Sequence, residues 1–180
     1  MKNFRAKIQS AMMNNNLVFL DNFISTKDEE LLIENIQSYK RENPRLVANY
    51  GSNNYGSIYF GERYKKEPLV FPEFIKILCN KLISSELVKE HPFGVAINEY
   101  KKGQKIGPHI DKPISGPIVT ILSLNSNATM IFKKSGESDI VQELYPRSII
   151  QMKGDIRDNW THEILPVKNL RISVIFRSFK

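Results

Sequence analysis

The spacing of hydrophobic residues changes about halfway along the chain. Up to residue 84 the apolar positions recur mainly at helical intervals, whereas from residue 94 they fall in short β-rich runs separated by turn residues. Helices followed by a series of strands predict a mainly β domain of the α+β type, with helices packed outside a β-sandwich or jelly roll. No internal repeat or low-complexity linker interrupts this pattern, so we predict one domain over residues 1–180.

Two helices and a strand are predicted in the first half. Ser25 precedes acidic residues in the manner of a helix start, and Pro44 ends the helix that follows. A second helix is predicted over residues 73–84, where one face is apolar, and a short strand over residues 17–20. Residues 1–16 are polar and predict only a frayed lead-in or a short helix.

The remaining elements are extended. The stretch 46–64 is rich in Gly, Asn, Ser and Tyr and predicts loop and hairpin structure. The later runs that predict strands are 94–100, 118–124, 129–132, 147–152 and 171–179.

The composition is that of an ordinary globular domain, with 41% hydrophobic and 25% charged residues. The net charge of +7 favours encounter with polyanions such as nucleic acid. A basic balance is also common where it only adjusts solubility, so the charge alone leaves both readings open. No apolar stretch is long enough for a membrane span or a secretory signal, and we therefore expect an intracellular protein, cytoplasmic or nuclear, without a membrane partner.

Cys79 is the single cysteine, which excludes an internal disulfide and a multi-cysteine zinc site. It lies in an apolar run within the second predicted helix. We therefore predict a buried core residue and no reactive role.

Two histidines and an aspartate have a spacing that suits a metal ion. His109 and Asp111 are two residues apart, so in a strand both side chains would point to the same face, and His162 would come from another strand. Two imidazoles and one carboxylate form the ligand set of a non-haem iron(II) site, with positions left open for oxygen and a cosubstrate. Most His-x-Asp tripeptides are solvated or make ordinary polar contacts. The third histidine, His91, lies in a turn-like stretch and is predicted to be uninvolved.

A predicted strand near residue 175 carries two arginines. A period of two places Arg171, Ser173 and Arg177 on one face, with Ile175 packed between the arginines. Arginines that point inward are costly without anionic partners, and the two carboxylates of 2-oxoglutarate would neutralise both. The alternative is an edge strand with solvated arginines.

These residues form a longer ordered pattern with Asn98 and Tyr100, which share a strand face. The order Asn98-x-Tyr100-x-x-Gly103, His109-x-Asp111, His162 and Arg171-x5-Arg177 resembles the AlkB family of iron(II)- and 2-oxoglutarate-dependent dioxygenases. The resemblance covers roughly residues 94–179, the catalytic half of the family, and extends loosely to a substrate lid at about residues 44–66.

The resemblance implies a double-stranded β-helix and a complete set of site roles. Iron(II) would be bound by His109, Asp111 and His162, which would also be the catalytic residues. The cosubstrate 2-oxoglutarate would contact Asn98, Tyr100, Arg171, Ser173 and Arg177, with Arg171 and Tyr100 at its distal carboxylate and Arg177 and Asn98 near the carboxylate that chelates iron.

The reaction implied by the family couples oxidation of 2-oxoglutarate by O2, with release of CO2 and succinate, to hydroxylation of a carbon–hydrogen bond. On an N-methyl group the product hemiaminal releases formaldehyde, so we predict an enzyme that demethylates N-alkylated bases in DNA or RNA, in the manner of a repair enzyme. Nucleic-acid repair members often carry an acidic residue two positions after the metal aspartate, where this chain has Pro113. Ser173 stands where some members have asparagine.

Substrate contacts are predicted in the lid. Tyr50, Tyr55, Tyr59 and Arg63 would stack a base and meet phosphate, although tyrosines in a hairpin also serve simply to cover a core. Two further lysine groups, at residues 101–105 and 133–134, are candidate phosphate contacts.

Two other functions compete with demethylation of a damaged base. One is hydroxylation of a modified tRNA base or of a protein side chain, which the replacement of the acidic residue by Pro113 motivates. The other is a binding module without catalysis, which an intact set of metal ligands and arginines disfavours. We expect a monomer in either case.

Overall fold

The computed structural model describes residues 16–44, 48–50, 55–61 and 70–179. The helices in these residues are α1 (Thr26–Glu42), α2 (Glu73–Ser84) and α3 (Gly154–Asn159). The strands are β1 (Leu17–Leu20), β2 (Ala48–Tyr50), β3 (Tyr55–Gly61), β4 (Gly94–Tyr100), β5 (Ile106–His109), β6 (Ile118–Leu124), β7 (Ala128–Lys133), β8 (Ile140–Leu144), β9 (Ile149–Lys153), β10 (Thr161–Ile164) and β11 (Arg171–Ser178). The prediction for residues 1–16 lies almost entirely outside the described residues.

The strands form two antiparallel sheets. The larger sheet has the order β1-β9-β6-β11-β4-β3-β2, and the smaller has the order β5-β10-β7-β8. Side chains of both sheets pack together in one buried cluster that includes Ile121, Ile150, Met130 and Phe132. Two facing antiparallel sheets with helices outside confirm the predicted jelly roll.

The larger sheet has a different neighbour on each face, and β11 shows how the sequence determines this. Ile172, Val174 and Phe176 are fully buried in the cluster that contains α1 and α2. The alternate residues Arg171 and Ser173 point to the opposite face, toward the smaller sheet. Because β11 pairs with both β6 and β4, the alternative of an edge strand is wrong.

Both predicted helices are confirmed. α1 begins with a capping box in which the Asp28 backbone N–H donates to Ser25 Oγ and the Ser25 N–H donates to the Asp28 carboxylate. In α2, Cys79 is completely buried against the larger sheet, and burial raises the pKa of its thiol to about 12. The interpretation of Cys79 as a core residue is therefore confirmed.

Several short elements were missed. The β8 sequence Ile-Val-Gln-Glu-Leu contains polar residues that disfavour a strand, and its place at the sheet edge leaves Gln142 partly exposed and Glu143 exposed. α3 is too short for a periodic signal. The strand predicted from residue 147 begins at Ile149, because Arg147 has a left-handed backbone with φ 69°.

A partly buried ion pair joins α1 to the loops of the larger sheet. The Glu29 carboxylate is 6% exposed and accepts hydrogen bonds from the Asn125 backbone N–H at 2.8 Å and from Arg147 Nη1 at 2.7 Å. Replacement of Glu29 by alanine leaves both donors without this acceptor, and we expect a loss of about 2–3 kcal/mol in the free energy of unfolding. Urea denaturation measures this loss.

The matched control is Glu30→Ala on the same helical turn, where the side chain is exposed. We expect its effect to stay within about 0.5 kcal/mol. Equal losses for the two variants would contradict a stabilising role for the Glu29 contacts.

Candidate active site

A cavity of about 380 Å³ lies between the two sheets. Its wall is mostly apolar, with a small group of convergent polar side chains, as in many small-molecule sites. The predicted site residues that line it are Tyr59, Asn98, Tyr100, His109, Asp111, His162, Arg171, Ser173 and Arg177.

The three residues of the metal-binding pattern converge in the wall of this cavity. His109 on β5 and His162 on β10 are direct partners in an antiparallel pair, and their rings are 4.3 Å apart between centroids. The candidate ligand atoms of His109, Asp111 and His162 all lie within 4.8 Å of one another. The three side chains are therefore close enough to share one ion.

The expected path of the chain through the first two ligands is wrong. Strand β5 ends at His109, so Asp111 lies in the following loop and does not share a strand face with His109. Pro108 has no backbone N–H, and the pairing of β5 with β10 shifts register between His162 and Ile164, so the pairing is irregular just before the His109–His162 pair. The loop nevertheless brings Asp111 Oδ1 to 3.9 Å from His109 Nε2.

The local environment prepares both imidazoles for a cation. His109 Nδ1 lies 2.9 Å from the Gly107 carbonyl oxygen, to which it can donate, and Nε2 lies on the side of Asp111. Burial, together with the nearby His109 and Arg157, lowers the pKa of His162 to about 4, although Asp111 opposes the shift. The His162 imidazole is therefore neutral at physiological pH, and its buried Nδ1 has no hydrogen-bond partner in the described residues. Two imidazoles and a carboxylate fit an iron(II) ion.

Arg171 is the most deeply buried cation of the cavity, with 1% exposure. Its Nη2 donates to Ser123 Oγ at 3.0 Å, and its guanidinium carbon lies 5.4 Å from the centre of the Tyr100 ring. Burial lowers the pKa of Arg171, and no carboxylate in the described part of the chain lies within 4.0 Å of it. Its Nε also has no partner there, so the guanidinium is suited to an anionic ligand.

The second arginine, Arg177, lies near Tyr59 on strand β3 of the β2–β3 hairpin. Arg177 places its guanidinium carbon 5.3 Å from the centre of the Tyr59 ring, and its buried Nε has no partner among the described residues. Tyr59 occupies this position because Gly94 has no side chain: a Cβ there would lie 1.9 Å from the Tyr59 hydroxyl. The role of Gly94 was not predicted, since a glycine at the start of a strand gives no such signal.

Asn98 and Tyr100 meet as their shared strand face predicts. Asn98 Nδ2 donates to the Tyr100 hydroxyl at 3.4 Å, and both residues are buried. Burial raises the pKa of Tyr100, so its phenol keeps its proton and offers a hydrogen bond to an anionic ligand.

The residues predicted for the substrate are only partly described. The side chain of Tyr59 lines the cavity. Tyr50 and Tyr55 are backbone partners at the end of the β2–β3 hairpin, which confirms a hairpin here. Arg63 and the end of the predicted lid lie outside the described residues.

The two lysine groups differ in their surroundings. The side chains of residues 101, 102 and 105 are exposed. Lys133 instead lies 3.5 Å from Asp139 and 3.9 Å from Glu163, and Lys134 donates to Asp155 at 3.0 Å. These internal ion pairs weaken the case for residues 133–134 as phosphate contacts. His91 is exposed and away from the cavity wall, as predicted.

Lys112 and Ile110 line the cavity and were not predicted, because both lie in an irregular loop without a periodic signal. Ser123 was missed for another reason. It continues the face of Val119 and Ile121 on β6, and that period of two could have identified it.

Comparisons with known proteins agree with this site. Residues 16–177 match the family model described as the 2OG-Fe(II) oxygenase superfamily. The chain is 31% identical over 163 residues to tRNA (carboxymethyluridine(34)-5-O)-methyltransferase alkbh8 of Xenopus tropicalis, a match that covers 84% of this chain and 25% of the relative. The chain thus spans about a quarter of that relative's length.

Two solved structures share the fold at low sequence identity. The structure of OsALKBH1 matches with a TM-score of 0.61 and 16% identity, over 92% of this chain and 99% of that one. A Trichoplax adhaerens prolyl hydroxylase, in complex with a peptide of hypoxia inducible factor, matches with a TM-score of 0.65 and 14% identity, over 92% of this chain and 86% of that one.

Proposed function

The chain belongs to the 2OG-Fe(II) oxygenase superfamily and is of the AlkB type, and on that premise we propose that it demethylates N-alkylated bases in nucleic acid. A 2-oxoglutarate-dependent dioxygenase of this superfamily uses iron(II), 2-oxoglutarate and O2. The observation that carries the proposal is one cavity whose wall contains both the His109–Asp111–His162 cluster and Tyr59 of the β2–β3 hairpin.

The proposed roles follow from the contacts of each side chain. His109, Asp111 and His162 hold the iron, and Arg171, with Tyr100 beside it, holds the distal carboxylate of 2-oxoglutarate. Arg177, Asn98 and Ser173 also line the cavity. We assign Arg177 and Asn98 to the carboxylate that chelates iron and Ser173 to a further contact with the cosubstrate. When bound, iron and 2-oxoglutarate supply the oxidation of a carbon–hydrogen bond; the protein supplies orientation and charge.

The chain's own residues prepare the site before that oxidation. The neutral imidazole of His162 releases no proton when a cation binds, and the protonated phenol of Tyr100 offers its hydrogen to a carboxylate oxygen. The apolar residues Ile106, Ile121, Met130 and Ile164 reduce the access of water to the reacting groups. A hydroxylated N-methyl group then breaks down to formaldehyde and the unmethylated base without further help from the protein.

Three features support a nucleic-acid substrate: the AlkB type, the net charge of +7 and Tyr59 in the cavity wall. An aromatic ring at the cavity can stack a base that has left its helix. The lid of residues 44–66, with Tyr50, Tyr55 and Arg63, is part of this proposal, as is a single domain over residues 1–180.

A second candidate is hydroxylation of a modified tRNA base. The relative named as a tRNA methyltransferase favours it, although this chain covers only 25% of that protein. Pro113 also favours it, because the turn Pro113–Ser115 follows the metal aspartate without the acidic side chain that would pair with a cationic methylated base. The resemblance to a prolyl hydroxylase shows the fold alone and gives a protein substrate no further support.

The test is incubation with iron(II), 2-oxoglutarate and air, first with oligonucleotides that carry N-methylated bases and then with bulk tRNA. We expect loss of methyl groups with one formaldehyde and one succinate per methyl group, and no product from Asp111→Ala. Gain of one oxygen on a tRNA base without loss of a methyl group would favour the second candidate. Succinate formation without change in any DNA or RNA would contradict both.

A further inference from the structure

Arg157 on α3 is a buried arginine outside the cavity wall. Its side chain is 4% exposed, and its ion pair is with Asp158, which is 57% exposed. Most of its hydrogen bonds go instead to backbone carbonyl oxygens: Nε donates to Gly116 at 2.8 Å, Nη1 to Asp111 at 3.1 Å and Nη2 to Lys112 at 2.7 Å. A guanidinium with donors in a fixed fork can hold several carbonyls at once, which an ammonium cannot do.

The three carbonyls belong to one loop, and that loop contains a proposed metal ligand. Residues 110–117 connect β5 to β6, and Asp111 lies within them, outside any strand. The loop's own hydrogen bonds form further along: the Ser115 N–H donates to Lys112 and the Gly116 N–H to Pro113. Arg157 therefore supplies the contact that reaches the Asp111 backbone itself.

The Arg157 side chain also links the loop that contains Asp111 to the chain segment that leads to His162. Arg157 lies five residues before His162, and Ile156 beside it is buried in the core between the sheets. The junction of α3 with β10 is fixed by Trp160 Nε1, which donates to Asp155 at 2.9 Å. A rigid connection thus runs from the strand of His162 through α3 to the loop of Asp111.

We propose that Arg157 is a positioning residue that holds the Asp111 loop so that its carboxylate meets the two histidines at the metal site. The proposal rests on the role given to Asp111 above. Arg157 contacts neither the ion nor the cosubstrate; it acts through the backbone of residues 111, 112 and 116.

The test measures metal affinity directly and needs no substrate. Titration of cobalt(II) into the wild-type chain, followed by its visible absorption, gives a dissociation constant and the coordination geometry. We expect Arg157→Lys and Arg157→Met to weaken cobalt binding about 10- to 100-fold, the usual range for residues that support metal ligands, and to change the absorption bands. Lysine keeps the positive charge and most of the aliphatic part of the side chain. A loss of cobalt affinity in Arg157→Lys therefore reports the loss of the guanidinium's several N–H donors.

Arg147→Met is the matched control. Arg147 also has a buried partner, Glu29, but lies outside the cavity wall. We expect Arg147→Met to lower the melting temperature and to keep the cobalt affinity within about twofold of the wild type. The reason is that Arg147 shares no contact with the residues of the metal site. In Arg157→Met, added methylguanidine should restore affinity by filling the space of the lost group.

The outcomes separate the two proposals. If wild-type chain binds no cobalt, the assignment of the metal site fails. If wild type binds and both Arg157 variants bind equally well with unchanged spectra, the positioning role is wrong while the site stands. If Arg157→Met does not fold, the lysine variant decides by the same titration.

Discussion

Replacement of Asp111 by alanine is expected to reduce 2-oxoglutarate turnover to the level without enzyme. Loss of a residue that merely supports a metal ligand costs about 10- to 100-fold in affinity or activity, so loss of a ligand should cost more than about 100-fold. The remaining His109 and His162 would hold the ion through two neutral nitrogens, without the carboxylate that offsets its charge. Succinate formation, measured with and without a substrate, gives the loss.

The control for this result is Asp139→Ala. Asp139 is an exposed carboxylate that lies near Lys133, away from the cavity wall. We expect its turnover and iron content to match the wild type. Asp111→Ala with substantial turnover, or with a full complement of tightly bound iron, would contradict the proposed ligand set.

The sequence predicted those parts of the site that lie on regular strands. In β4 and β11 the side chains alternate with a period of two, so the faces of Asn98, Tyr100, Arg171 and Arg177 could be read directly from their spacing. The burial of Ile172 on the opposite face of β11 follows from the same alternation. The resemblance to the AlkB family then predicted that these residues line one common site.

The parts that could not be predicted lie where this period stops. Asp111 reaches the site from a loop, whose path depends on Pro108, a turn at residues 113–115 and the bonds from Arg157. The bonds from Arg157 span 41 to 46 positions of the chain and therefore have no local signal in the sequence. Helix α3, which carries Arg157, has six residues, too few for its apolar positions to show a helical repeat.

The position of Arg171 between the two sheets explains why its buried charge lowers the stability of the protein until a ligand binds. Arg171 lies between apolar layers, and its neutral partner Ser123 supplies one hydrogen bond but no charge. Residues held in unfavourable surroundings are typical of binding sites, where the ligand provides the missing partner. Arg147 shows the contrast, since its carboxylate partner Glu29 is present within the fold.

That contrast predicts opposite behaviour for two arginine-to-methionine variants. Arg171→Met should weaken 2-oxoglutarate binding by about 2–5 kcal/mol, because a bound carboxylate would be left buried without its cation. The same variant should not lose stability without ligand, since an apolar side chain replaces a buried charge that lacks an anion in the described residues. Arg147→Met should lose stability and keep its affinity for 2-oxoglutarate.

Calorimetric titration with 2-oxoglutarate in the presence of manganese(II), together with thermal unfolding of the ligand-free proteins, measures both quantities. Manganese(II) takes the place of iron(II) at carboxylate and imidazole ligands without the oxidation chemistry. A lower melting temperature for ligand-free Arg171→Met with unchanged 2-oxoglutarate affinity would mean that Arg171 stabilises the fold and does not bind the cosubstrate. The expected pair of results requires the reverse: affinity for 2-oxoglutarate falls while the ligand-free protein stays as stable as before. The reason is that the cosubstrate's carboxylate supplies the anion that the Arg171 guanidinium lacks among the described residues.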